Sequence, residues 1–189
     1  MKNRTKSLSL VLILISLMLA PCLVLGQDPQ LPINSETRKV EYSDLVKVDS
    51  ILTRDQLFTR AREWMVSTFK TSKDVLQIDD KGTGTIMGKC NLEIKDQTHL
   101  RNGYIMFSVK IQVKDGRFKY WVNDLEHFTF SGLMNGGSLD NEKPSVKPAY
   151  MSTKTWGQIK SQAGTDIPEL IKSLKAQMSK PVSANSDNW

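Results

Sequence analysis

The chain has 189 residues, of which 39% are hydrophobic and 24% charged, with 26 Lys and Arg against 20 Asp and Glu. Wholesale disorder, collagen-like repeats and disulfide-dense scaffolds are excluded by that composition, and the length suits one domain with short extensions. Two cysteines and two histidines leave little material for a metal centre or a thiol framework.

Residues 1–26 read as an export signal. Lys2, Arg4 and Lys6 form a basic n-region, Leu8 to Ala20 an apolar h-region, and Pro21 breaks the helix before Gly26, a small residue ahead of Gln27. Cleavage there predicts an exported chain, periplasmic or extracellular, with no membrane span left. The alternative is a lipoprotein anchored through Cys22, because Leu19-Ala20-Pro21-Cys22 resembles a bacterial lipobox, although Pro21 stands where that pattern has a small residue. Without Lys2, Arg4 and Lys6 the chain keeps 23 basic against 20 acidic residues, or +3 in place of +6. So small a charge does not imply a nucleic acid partner. Cys90 would be the sole remaining cysteine, so no intrachain disulfide forms.

Residues 27–39 are polar, hold Pro29 and Pro32, and read as a flexible leader to a single domain over 40–179. Val40, Tyr42, Val46 and Val48 fall on one face at period two and predict a first strand. Thr53 with Gln56 forms a capping box, and Leu57, Phe58, Ala61, Trp64, Met65 and Phe69 make the apolar stripe of a helix. Val75, Leu76 and Ile78 mark a short strand. Ile86, Cys90, Leu92 and Ile94 share one face of the next, and Ile105, Phe107, Val109, Ile111 and Val113 one face of the strand after that. Lys114-Asp115-Gly116 is a hairpin turn with Gly116 free to take positive φ. Phe118, Tyr120 and Val122 carry the return strand, Asn123-Asp124 suggests a bulge, and Phe128 and Phe130 continue beyond it. Residues 131–152, with three glycines and two prolines, read as a long loop. The last helix is expected to start at Asp166, with Glu169 as capping partner and Ile167, Leu170, Ile171, Leu174 and Met178 as its stripe. Residues 180–189 read as a disordered tail.

Every strand buries one face only, which favours antiparallel pairing. The expected architecture is α+β: two layers, an antiparallel sheet of four to five strands with two helices on one face.

Several segments, taken together, resemble a known family. They are Val46-Lys47-Val48, the helix from Leu57 to Met65 with its Arg60-Ala61-Arg62-Glu63-Trp64, the strand Gly84-Thr85-Ile86-Met87-Gly88, the stretch from Phe107 to Val113, the hairpin Lys114-Asp115-Gly116-Arg117, and a C-terminal helix with Ile171 and Leu174. The set is similar to a family of secreted bacterial proteins of unknown function, described as having a TATA-binding-protein-like (TBP-like) fold, and spans 40–178. The resemblance implies one exported α+β domain. It implies no activity, and it does not imply DNA binding, because one fold hosts many functions.

The sequence offers no catalytic constellation, no cofactor motif and no metal-ligand pattern. Gly82, Gly84 and Gly88 lack the spacing and the following helix of a phosphate loop. Cys90 shares its face with Ile86 and Leu92 and is expected in the core. His99 and His127 stand apart from any ligand pattern, and a Cys90–His127 dyad lacks an orienting third group. Asp79 and Asp80 are adjacent on an extended segment and point to opposite faces. Asp115 is assigned to the turn. Lys114, Arg117 and Lys119 read as a solvated basic edge that guards against edge-to-edge pairing. Most aromatics, including Trp64, Phe107, Phe118, Tyr120, Phe128 and Phe130, are expected in the core. Trp121 is the exception. Alternation from Phe118 puts it on the opposite face with Lys119 and Asn123, and these three residues with the 131–152 loop form the expected binding surface.

The resulting expectation is a non-catalytic exported module that binds another envelope component, whether protein, glycan or lipid. The alternative is a carrier of small apolar ligands with a cavity between sheet and helices.

Overall fold

The computed structural model describes residues 30–69, 76–95 and 101–181. The expected signal segment, Cys22, Val75, His99 and nearly all of the expected tail lie outside them. The elements in chain order are β1 (Tyr42–Lys47), α1 (Arg54–Thr68), β2 (Leu76–Asp80), β3 (Thr85–Lys95), β4 (Arg101–Lys114), β5 (Arg117–Phe128), β6 (Gly137–Ser138) and α2 (Thr153–Met178). The sheet runs β1-β5-β4-β3-β2 with every pair antiparallel, and the two-residue β6 adds to β5 beyond β1. The fold is α+β as expected, with β6 as a sixth strand from within the segment read as loop.

Local chemistry fixes the helix starts. Thr53 closes the capping box, its side chain accepting from Gln56 N–H while the Gln56 side chain accepts from Thr53 N–H. Asp115, from the β4–β5 turn, accepts a further hydrogen bond from Arg54 N–H at 2.6 Å. The turn residue thus also caps α1. Gly116 takes φ +65° there, the left-handed value a two-residue hairpin requires.

The second helix begins thirteen residues before the expected start, at Thr153 rather than Asp166, with Ser152 as its cap. Gly157, Gly164 and Pro168 depress helix propensity and hide the pattern. Trp156, Ile159, Ala163, Ile167, Ile171, Leu174 and Met178 nevertheless recur at three and four residues and are all buried. Pro168 is exposed, on the side away from that stripe.

Both helices cover one face of the sheet. Ile86, Cys90 and Ile94 of β3, Ile105 to Val113 at alternate positions of β4, and Phe118, Tyr120 and Val122 of β5 meet them in one core. Trp64 packs edge-on against Phe69 at 5.7 Å, and Phe69 against Phe107 at 6.2 Å, filling the space between α1 and the sheet with aromatic rings. The Trp64 indole N–H donates to Ser173 Oγ at 2.9 Å and ties α1 to α2.

Two further expectations are corrected. Residues 31–39 are not a free leader: Leu31 packs on the core, Ile33 bridges Val40, and Asn34 Oδ1 accepts from Glu36 and Thr37 N–H to hold the turn between them. Phe128 and Phe130 do not continue the buried face. The bulge is real, with Asp124 at φ +54°, and two β5 residues (Asp124 and Leu125) oppose one of β4. The extra residue shifts the alternation, so Leu125 and His127 enter the core while Phe128 turns to the other face and Phe130 stands 59% exposed.

Candidate functional site

The sheet face away from the helices carries the candidate site. A two-residue turn joins β4 and β5, so their residues face each other in fixed pairs. Lys114 opposes Arg117, Gln112 opposes Lys119, and Lys110 opposes Trp121. On the far side of β5, Lys47 opposes Arg117, Leu45 opposes Lys119 and Ser43 opposes Trp121. Five cations, Lys47, Lys110, Lys114, Arg117 and Lys119, are thereby gathered on three neighbouring strands.

Trp121 sits half-buried beside two of them. The Lys119 ammonium lies 4.6 Å and the Lys110 ammonium 5.2 Å from the centre of its ring. Such cation–π contacts at partly exposed positions contribute about 0.5–1 kcal/mol each. The indole thus fixes where two long side chains place their charges. Trp121 and Lys119, two of the three expected surface residues, therefore touch. Asn123 lies on the same face two residues on, partly exposed and opposite Ser108.

Electrostatically the two faces of the sheet differ. On the helix side Arg62 pairs with Asp79 at 2.8 Å and Lys175 with Asp44 at 3.0 Å. Among the described residues none of the five open-face cations has an ion-pair partner. Lys47, Arg117 and Lys114 stand in one row, and like charges directly opposite across strands are destabilising. Edge protection does not account for Lys110, Lys114, Arg117 and Lys119, because β4 and β5 are interior strands; of the five only Lys47 stands on an edge strand. The reading of Lys114, Arg117 and Lys119 as an edge guard is corrected on that ground. Towards the other end of the face the charge changes. Asp124 and Glu126 line a recess of about 380 Å³ with Lys39, Lys89 and the buried Ser108, whose hydroxyl donates to Asp124 Oδ2 at 3.4 Å.

The other singled-out residues serve the fold. Cys90 is 2% exposed, and burial pushes its thiol up to about 12. Strand β4 runs between it and His127: Cys90 opposes Phe107, and His127 opposes Ile105 two residues away. His127 is fully buried, its Nδ1 accepting from Gly136 N–H at 3.1 Å beside the Trp156 ring. Asp79 and Asp80 point apart, Asp79 to Arg62 and Asp80 to the amides of Gly82 and Thr83. Gly84 makes a close turn at φ +67° against Val113. Alternation along β5 alone does not single out Lys110 or Lys47, although the turn register pairs Lys110 with Trp121.

No helix among the described residues is long and apolar enough to cross a membrane. Residues 42–128 match the family described as a domain of unknown function (DUF4468) with TBP-like fold. No curated protein matches the chain. Among solved structures the chain is similar to a TBP-like protein from Parabacteroides distasonis, with 15% identity, a TM-score of 0.60, and coverage of 78% of this chain and 96% of that one. It is also similar to a DUF4468 family protein from Bacteroides ovatus, with 13% identity, a TM-score of 0.55, and coverage of 82% and 94%.

Proposed function

We propose that the chain is a non-catalytic binding module of the bacterial cell envelope; residues 42–128 match a family of unknown function with a TBP-like fold, so no activity comes to it from that family. Its binding surface is the open face of the sheet, and the component it takes is anionic. One observation carries this reading: five cations without ion-pair partners among the described residues share the open face with Trp121, two of them over its ring and the other three in a single row across β1, β5 and β4. Maintaining that row costs stability in the free protein, and an anionic partner would relieve it. Export rests on the basic, apolar and small-residue order of residues 1–26. The aromatic filling between α1 and the sheet favours a binding face over a carrier cavity. Cys90 and His127, buried and separated by β4, favour a non-catalytic role.

The test is sedimentation of the purified chain with isolated Gram-negative envelopes at rising salt. The bound fraction is expected to fall as salt screens the face. Lys110→Glu with Lys119→Glu should lower apparent affinity by about tenfold or more, since like-charge contacts replace attractive ones. Binding that ignores both salt and the two reversals overturns the reading.

A further inference from the structure

We propose that the open face seats the chain on an anionic lipid bilayer, with the loop after β5 placing its apolar side chains below the headgroups. This rests on the binding-face reading and names its partner.

The cations alone fit any polyanion, but the side chains between them fit lipid. Leu45, which opposes Lys119, is 53% exposed, and Ile78, in the same row as Lys110 and Trp121, is 41% exposed. Lysine and arginine mixed with tryptophan and aliphatic side chains on one surface is the composition of an interfacial membrane contact. An acidic glycan would use the charges and leave the aliphatic groups in water.

The loop is the second, separate observation. Phe130 is 59% exposed, Leu133 83% and Met134 38%. These side chains are held out by a braced turn. Thr129 N–H donates to Asn135 Oδ1 at 2.9 Å, Gly132 N–H to Thr129 O at 3.0 Å and Met134 N–H to Thr129 Oγ1 at 3.4 Å. Gly132 takes φ +70° at the tip. From His127 to Leu139 the chain carries no Asp, Glu, Lys or Arg, so nothing charged enters the apolar region with the tip. Behind the tip Phe130 lies 5.9 Å from Tyr104, which stacks on Phe128 at 5.6 Å. Aromatic rings at that depth suit the headgroup boundary. Tyr104 and Phe128 belong to the open face, so tip and cations address the same side of the molecule. Asp124 and Glu126 stand between them, in the recess that also holds Lys39 and Lys89.

The test is co-sedimentation with vesicles of phosphatidylcholine alone and of phosphatidylcholine with phosphatidylglycerol. Parent, Leu133→Ser/Met134→Ser and Lys110→Ala/Lys119→Ala chains are compared in the same N-terminal form. Circular dichroism checks folding, and all four positions lie on the surface. The parent is expected to bind the anionic vesicles. The tip pair should lower that partitioning by about tenfold or more, and the lysine pair should remove the preference for anionic over neutral vesicles. Equal partitioning of parent and tip variant overturns the proposal. So does a tip-dependent dimer without vesicle binding, which would assign the loop to a second copy. Binding to isolated envelopes without binding to vesicles overturns the lipid assignment and leaves the binding-face reading standing. Binding to neither overturns both.

Discussion

At the scale of single residues, burial decides chemistry. Cys90 looks like a candidate nucleophile only while its surroundings are unknown. Buried opposite Phe107 in the core that also holds Ile86 and Ile94, its thiol is held neutral by desolvation. The native protein should therefore react with a thiol reagent at pH 8 far more slowly at Cys90 than the unfolded chain does, and kinetic labelling with mass detection measures this. The same burial predicts an alkaline limit to stability. Burial pushes Cys90 from 9.0 and Tyr42 from 10.0 up to about 12, and desolvation is the first cause in both. A raised value means that the fold favours the neutral group. Their contribution is fully present below pH 9 and is lost as pH rises from 9 towards 12. Tyr42→Phe should soften this loss without lowering stability at neutral pH, because the Tyr42 hydroxyl is buried without a hydrogen-bond partner among the described residues. Denaturant melts at pH 7 and pH 11 decide it. A stability that rises above pH 10, or a fast-reacting native Cys90, contradicts the account.

At the scale of elements, glycine has opposite meanings in two places. Gly157 lies on the exposed side of α2, where an added Cβ would meet nothing within 4 Å, so Gly157→Ala should stabilise by about 0.5–1 kcal/mol through helix propensity. At Gly136 an added Cβ would meet the Trp156 ring at 2.5 Å and His127 Nδ1 at 3.0 Å. Gly136→Ala should cost about 1–3 kcal/mol by overpacking, and chemical denaturation separates the signs. These two sites also show why parts of the fold were legible and parts were not. Thr53, Gln56 and the stripe from Leu57 to Phe69 agree at every level, so α1 is plain in the sequence. In α2 propensity and pattern disagree: Gly157, Gly164 and Pro168 suggest a break, while Trp156, Ile159 and Ala163 continue the stripe, and tertiary burial wins. Beyond the bulge at Asp124 the period-two pattern is offset by one residue, so strict alternation assigns Phe128 to the core while the structure puts it on the other face.

At the scale of the whole molecule, the two helices leave one sheet face uncovered, and charge is distributed unevenly over the result. The site was partly legible. Alternation from Phe118 places Trp121, Lys119 and Asn123 together, and the hairpin turn, read through its pairing, adds Lys110 and Lys114. Lys47 was out of reach, because the pairing of β1 with β5 joins segments seventy residues apart and no local pattern encodes it. The central claim is that this face, rather than the helices, meets the partner. It is tested most directly by photo-crosslinking in intact envelopes. One chain carries the photoreactive residue at Lys119 and another carries it at Lys172 on exposed α2. Adducts from position 119 and none from position 172 are the predicted result. Adducts from 172 alone, or equal adducts from both, would place the contact elsewhere and contradict the account.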